Sequence, residues 1–318
     1  MPKSLQSVLF LQNLTNIRAR HRFHVFDNEI SQIPNFRSVL FRVDSIPVSL
    51  TPNSPVNPLP QPGAEILPPE HRPPLAEDPP WGIVDVILIA IFSLIATGLL
   101  TAVAFGIIHA VPGWKHYTVA QLAAEPLAVI PPQAVGYLFT LFFMVLVVRR
   151  GSSVPFWDSI KWNWPHKALQ YVVAGLALSV LIQIGSNFLP IPKTLPIDEF
   201  FKTTHAAWVL AIFGVLVAPF FEELFFRGFL YPVLHRRIGF FAAVVVNSLL
   251  FAFTHEGQLA RAWAPLLVLF VVGVVLTYVR ARTQSVAGSF LVHSGYNAFL
   301  FAMIFVATGG FRHMERLH

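Results

Sequence analysis

Five polar side chains inside otherwise apolar segments have the types and spacing for chemistry. They are Glu222, Glu223, His255, His293 and Asn297. The chain has 318 residues and no cysteine, which excludes a disulfide framework, a thiolate zinc site and a cysteine nucleophile. Any catalysis must therefore use carboxylates, histidines, amides or hydroxyls. A charge at the middle of a bilayer costs about 2.5–3.5 kcal/mol on insertion scales, so such residues persist when they are paired or functional.

The carboxylate and both imidazoles lie at similar depths along their segments. Glu222 lies 13 residues before the basic cluster at 235–237, or about 20 Å along a helix. His255 lies 15 residues after Phe240 on the returning segment, about 22 Å from the same face. His293 lies 11 residues beyond the preceding arginine, or about 16 Å. We therefore expect three helices to bring these side chains together.

The spacing around Glu222 separates two roles. Glu223 and Arg227 are four residues apart with the glutamate first, the favourable orientation for an ion pair on a helix. Glu222, about 100° further round the helix, is then free to face elsewhere. Pro219 lies one turn before Glu222 and is expected to kink the span and free backbone carbonyls near the site.

The other two segments show stripes at helical spacing. Asn247, Phe251 and His255 follow one another at intervals of four, and so do His293 and Asn297. Both stripes can point into one cavity. We interpret Phe251 as packing and Asn247 as a hydrogen-bonding contact between helices.

The elements that carry these residues are membrane helices. The chain is 55% hydrophobic and only 12% charged, about half the roughly 25% of soluble domains, which excludes a soluble enzyme. We predict an all-α, polytopic transmembrane helical bundle of about seven or eight spans. The seven candidate spans are 83–108, 133–148, 168–189, 206–234, 240–255, 264–279 and 286–308, with 119–129 a further interfacial helix.

Three regions follow from composition. Residues 1–46 form a mixed, slightly basic tail, and residues 81–318 form the membrane domain. Between them, 12 of the 34 residues from 47 to 80 are proline, which predicts an extended linker.

The first 80 residues balance at seven basic against seven acidic, so the whole net charge of +6 lies in residues 81–318. We interpret it as a signal of membrane topology rather than of nucleic-acid binding. The basic residues after alternate spans are Arg149, Arg150, Lys161, Lys167, Arg236, Arg237, Arg280 and Arg282. By the positive-inside rule these connections, and with them the N-terminus, face the cytoplasm. We expect an integral membrane protein, in the inner or plasma membrane of a bacterium or in the endoplasmic reticulum or an organelle of a eukaryote.

Three motifs in order resemble those of a known family. They are Glu222-Glu223-Leu-Phe-Phe-Arg227, Phe251-Ala-Phe-Thr-His255 and His293-Ser-Gly-Tyr-Asn297. Over residues 206–308 the chain resembles the CAAX prenyl protease 2-like and bacteriocin-processing (CPBP) family of intramembrane proteases, which are often called metalloproteases. The resemblance implies a helical membrane bundle with a catalytic cavity that opens toward the cytoplasm.

The chemistry of peptide hydrolysis suits these residues. Glu222 can act as a general base for water, and His255 can share that water. His293 and Asn297 offer N–H donors for an oxyanion. The resemblance implies the same roles for these four residues. We interpret Glu223, Arg227, Phe251 and Asn247 as supporting residues.

A metal is an alternative within the same site. Glu222, His255 and His293 also form a plausible zinc set with an open position for water, although the chain has no HExxH motif. We favour water activated by glutamate and histidine without an obligate metal.

Other function classes fit parts of the pattern. An ion- or proton-coupled transporter can use an intramembrane glutamate and histidines as a relay. A non-catalytic scaffold or immunity protein of the same family is a further alternative. As partners we expect membrane lipid and a protein or peptide substrate at the membrane, with no nucleic acid.

Overall fold

A computed structural model describes residues 78–114, 116–192 and 195–313. The predicted tail and nearly all of the predicted linker lie outside these residues. Within them the chain is helical, with no strand. The helices are α1 (Ile83–Ala110), α2 (Val119–Ala123), α3 (Pro126–Gly151), α4 (Phe156–Ser159), α5 (Ala168–Ser186), α6 (Thr204–Ile212), α7 (Ala218–Glu223), α8 (Tyr231–Phe253), α9 (Trp263–Thr283) and α10 (Val286–Ala307). The all-α prediction is confirmed.

In the described part of the chain, six helical runs are long and apolar enough to cross a membrane. The longest, Thr204–Phe253, has 50 residues and would extend about 75 Å if straight, more than twice a hydrocarbon core of roughly 30 Å. It breaks at Gly239, where φ is 77° and ψ is 174°, a conformation that glycine adopts without a steric penalty. The seven predicted spans correspond to these six runs with the longest one divided at Gly239.

The start of α3 differs from the sequence prediction. The helix begins at Pro126, seven residues before the predicted start at 133, and it includes Pro131 and Pro132. The predicted helix at 119–129 begins at Val119 as predicted, but it ends at Ala123, and α3 begins at Pro126. Proline at the first helical position has no amide hydrogen to leave unpaired, and membrane helices tolerate internal prolines.

Two π-helical turns interrupt the run that carries the candidate site. They are Phe213–Val217 between α6 and α7, and Leu224–Leu230 between α7 and α8. Each turn ends two residues before a proline, Pro219 or Pro232. A proline ring clashes with the carbonyl four residues earlier, and a wider turn relieves that clash.

The helices pack mainly as three pairs, α1 with α3, α5 with α10, and α8 with α9. In the second pair Gly175 of α5 faces Gly295 of α10, and a Cβ atom on either glycine would overlap backbone of the other helix. This close crossing of small residues is typical of membrane helices and fixes the position of α10. The start of α1 is anchored by Trp81, whose indole nitrogen donates to the Phe229 carbonyl at 3.1 Å.

Candidate active site

Three helical segments bring a carboxylate and two imidazoles together, as the depths along the sequence predicted. Glu222 lies on α7, His255 just beyond the end of α8, and His293 on α10. The His255 Nε2 atom lies 3.9 Å from one Glu222 carboxylate oxygen, and the His293 Nε2 atom lies 3.8 Å from the other. These separations are too long for direct hydrogen bonds and leave room for a bridging water.

Behind this group lies a buried carboxylate with three donors. Glu223 is fully buried and accepts from Arg227 at 2.9 Å, from the His293 Nδ1 atom at 2.9 Å and from the Ser289 hydroxyl at 2.6 Å. The predicted ion pair of Glu223 and Arg227 is confirmed. The guanidinium also donates to the Gly273 carbonyl at 3.1 Å, so the pair ties α7 to both α9 and α10. A buried charge is tolerated when it is paired and hydrogen-bonded in this way.

The hydrogen bonds of the two imidazoles assign their tautomers. The His293 Nδ1 atom faces the ion-paired Glu223 carboxylate, and the His255 Nδ1 atom faces the Phe251 carbonyl at 3.0 Å. Both partners accept hydrogen bonds, so each Nδ1 atom carries the hydrogen. In the neutral form each ring therefore turns an Nε2 lone pair toward Glu222. A donor role for His293 toward an oxyanion requires the protonated ring.

Asn297 is positioned by a carbonyl that the helix itself leaves free. In the first π-helical turn the Ala218 amide donates to the Phe213 carbonyl, five residues back. The same pattern would pair the Gly214 carbonyl with the amide of Pro219, which has no hydrogen. The Asn297 amide nitrogen donates to that carbonyl at 2.6 Å. One amide hydrogen of Asn297 is thus used to hold the side chain, and the other is left for a ligand.

The two remaining predicted supporting residues are structural. The Phe251 ring lies 5.1 Å from the His255 ring, 5.7 Å from the His293 ring and 4.6 Å from the Arg227 guanidinium carbon. Asn247 lies one turn before Phe251 and two turns before His255. Its side chain is buried, and its amide nitrogen donates to the Thr277 hydroxyl at 2.9 Å. Phe251 thus packs against both imidazoles, and Asn247 joins α8 to α9.

The site opens into a cavity of about 810 Å³. Its polar lining includes Glu222, His255, His293, Asn297 and Tyr137, while phenylalanines form much of the remaining wall. Glu222 and His255 are each one-fifth exposed, but Glu223 has no exposure. Only the first glutamate of the pair is therefore accessible to a ligand.

The predicted zinc ligands are Glu222, His255 and His293. Their atom types suit zinc, but the distances between their ligand atoms are too long. Two imidazole nitrogens and a carboxylate are ordinary zinc ligands, but tetrahedral ligands lie only about 3.3 Å apart. Glu222 lies 3.8 Å from the nearer imidazole and 3.9 Å from the other. Across the described ranges, no group of three or more histidines and carboxylates is arranged to hold a metal ion.

Two contributors to the site were not predicted from the sequence. Ser289 lies four residues before His293 on the same face of α10, a spacing that was available as a signal. Tyr137 lies on α3 and lines the cavity, and no spacing in the sequence connects it with the three motifs.

Comparison with known families covers the part of the chain that holds all three motifs. Residues 204–299 match the family model of the type II CAAX prenyl endopeptidase, Rce1-like. We refer to residues 204–299 as the Rce1-like core, after the family model that they match. The resemblance inferred from the motifs is confirmed over this core, which excludes α1 to α5.

One curated protein is similar to a longer part of the chain. The UPF0177 protein YbdI of Lactococcus lactis subsp. lactis is 26% identical over 175 residues, or 53% of this chain and 92% of that protein. The name of that protein states no activity. No solved structure matches the chain.

Proposed function

We propose that the protein is an intramembrane endopeptidase that hydrolyses peptide bonds of membrane-associated substrates. The observation that supports this most directly is the group formed by Glu222, His255 and His293 in the wall of a largely apolar cavity. The Rce1-like core adds support, since the family is named for endopeptidase activity. The six apolar helical runs make the protein an integral membrane protein.

In the proposed reaction Glu222 accepts a proton from a water that His255 also contacts. The water oxygen then bonds to the carbonyl carbon, and the electron pair of the C=O bond moves onto the oxygen. The second amide hydrogen of Asn297 donates to that oxyanion. The oxyanion then re-forms the C=O bond as the C–N bond breaks, and the proton held by Glu222 passes to the leaving nitrogen. No step uses a metal ion.

The two carboxylates have separate tasks in this mechanism. Glu222 is accessible, and its two histidine neighbours lie 3.8 and 3.9 Å from its carboxylate oxygens, so it is free to exchange a proton with water. Glu223 is neutralised by Arg227 and holds His293 through its Nδ1 atom. This arrangement of a carboxylate behind a histidine fixes the ring orientation, as it does in many catalytic sites.

The basic connections support a site that faces the cytoplasm, and a CAAX-like peptide at the membrane surface is the proposed substrate class. Labelling of single cysteines, introduced at the termini of this cysteine-free chain, tests the orientation. Access of a membrane-impermeant reagent to the N-terminus from outside intact cells would contradict it.

The test of activity is product mapping on membranes by mass spectrometry, with purified full-length protein. We expect new peptide ends with the wild-type chain and none with Glu222→Gln. The matched control is Glu256→Gln, because this glutamate lies beside His255 but pairs loosely with Arg261 at 3.9 Å. Full cleavage by folded Glu222→Gln protein would refute the mechanism.

The same preparation tests the alternatives. Prolonged chelation should leave cleavage unchanged, and metal analysis should find less than one ion per chain. If chelation abolishes cleavage and zinc restores it, water activation without a metal is wrong. Proton or ion flux in liposomes without any peptide product would favour the transporter.

A further inference from the structure

The described site contains few hydrogen-bond donors for an oxyanion. The Nδ1 hydrogens of His255 and His293 are used by Phe251 and Glu223. Asn297 spends one amide hydrogen on Gly214 and keeps one. Peptide hydrolysis is accelerated strongly when preorganised donors surround the oxygen that becomes negative. A further donor in the cavity wall would therefore have a clear chemical task.

Tyr137 on α3 is held at the cavity wall by the helical run that carries Glu222. Its ring stacks with Phe213 at a centroid distance of 6.0 Å and contacts Phe221 in a tilted arrangement at 4.7 Å. These phenylalanines lie eight residues apart, and Phe221 directly precedes Glu222. The ring is thereby fixed relative to the candidate base, although α3 lies outside the Rce1-like core.

The hydroxyl of Tyr137 has a donor to offer. The Gln133 amide nitrogen, one turn earlier on α3, donates to the Tyr137 hydroxyl oxygen at 2.9 Å. A phenol that accepts a hydrogen bond retains its own hydrogen for a second partner. In the described part of the chain Gln133 is the only hydrogen-bond partner of this hydroxyl, and Tyr137 and Glu222 line the same cavity.

We propose that Tyr137 is a catalytic residue whose hydroxyl donates a hydrogen bond to the carbonyl oxygen of the peptide bond that is cut. The assignment rests on the proposed endopeptidase function. As water attacks, the electron pair of the C=O bond moves onto that oxygen, and Tyr137 stabilises the charge without transferring its proton. Gln133 is a positioning residue that orients the phenol by donating to its oxygen.

The first test compares Tyr137→Phe with Tyr278→Phe, which makes the same change at a half-exposed tyrosine on α9. The probe is a fluorogenic peptide that spans the first cleavage site mapped on membranes. We expect Tyr137→Phe to lower kcat about 100-fold with little change in KM, as for loss of an oxyanion donor. Tyr278→Phe should match the wild type. An unchanged kcat in folded Tyr137→Phe protein overturns the assignment.

Gln133→Leu keeps the phenol but removes the group that orients it. We expect a smaller loss of kcat than in Tyr137→Phe, again with little change in KM. If Tyr137→Phe does not fold, Gln133→Leu decides the question, and a wild-type kcat in this variant overturns the proposal.

Binding provides a readout that does not depend on turnover. A phosphinic analogue of the same peptide carries a tetrahedral, anionic centre in place of the scissile bond. Tyr137→Phe should lose affinity for the analogue but not for the parent peptide, because only the analogue resembles the transition state. Equal losses for both ligands overturn the proposal.

A wild-type chain that cleaves nothing refutes the endopeptidase function itself, whereas an active wild type with an unaffected Tyr137→Phe variant refutes only the role of Tyr137.

Discussion

The α1–α3 pair and the Rce1-like core are both helical and apolar, but they are stabilised differently. Of the thirteen buried polar or charged side chains in the described ranges, ten lie between residues 204 and 299. The α1–α3 pair has only Thr140 among them, and α1 buries just Val86 and Ile89 of its 28 residues. Hydrogen bonds require defined distances and angles, so they fix the rotation of each core helix, whereas lipid-facing packing accepts a wider range.

The largest effect is expected when the buried ion pair is broken. Arg227→Met leaves the fully buried Glu223 carboxylate without its counter-charge, which should cost about 3–5 kcal/mol of unfolding free energy. Unfolding of purified protein in detergent measures this. Arg282→Met, at the exposed end of α9, is the control and should change stability by less than about 0.5 kcal/mol. Equal stability of both variants would show that the Glu223–Arg227 ion pair does not make the stability of the core different from that of the α1–α3 helices.

A smaller effect tests whether individual hydrogen bonds hold the core. Ser289→Ala removes a donor to the ionised Glu223 carboxylate and should cost about 1.5–3 kcal/mol. Ser294 lies five residues later on the same helix, and its buried hydroxyl has no partner among the described residues. Ser294→Ala should therefore be neutral or slightly stabilising in the same unfolding assay. The reverse order of the two variants would contradict the hydrogen-bond assignment.

The smallest effect examines how α5, which lies outside the core, positions α10. Gly175→Ala places a methyl group against the Val292 carbonyl, which should cost about 1–3 kcal/mol and lower cleavage by shifting His293. Gly185→Ala on the same helix meets no atom within 4 Å and is the matched control. The free energy of unfolding of Gly185→Ala should equal or exceed that of the wild type, because alanine is a better helix former than glycine. If the two variants behave alike, the glycine crossing does not position the site.

The sequence predicted those parts of the site that depend on distance along a single helix. The Glu223–Arg227 pair follows from a spacing of four residues, and the meeting of Glu222 with both histidines follows from similar depths. The bond from Asn297 to the Gly214 carbonyl was not predictable in the same way. It depends on a π-helical turn, and the sequence signal for that turn, a proline, only suggested a kink.

The amino-acid sequence alone is enough to predict the class of protein and the chemical groups available to it. A shortage of charge requires apolar helices, and three motifs at helical spacing place the candidate residues on the faces of those helices. The packing of the helices is needed to show that Glu223 holds His293, that both imidazoles turn Nε2 toward Glu222, and that Tyr137 lines the cavity from α3. These contacts depend on how each helix is rotated and how closely it approaches its neighbours. Periodicity along one chain leaves both quantities open, because many rotations bury similar apolar area, and the polar contacts between helices select among them.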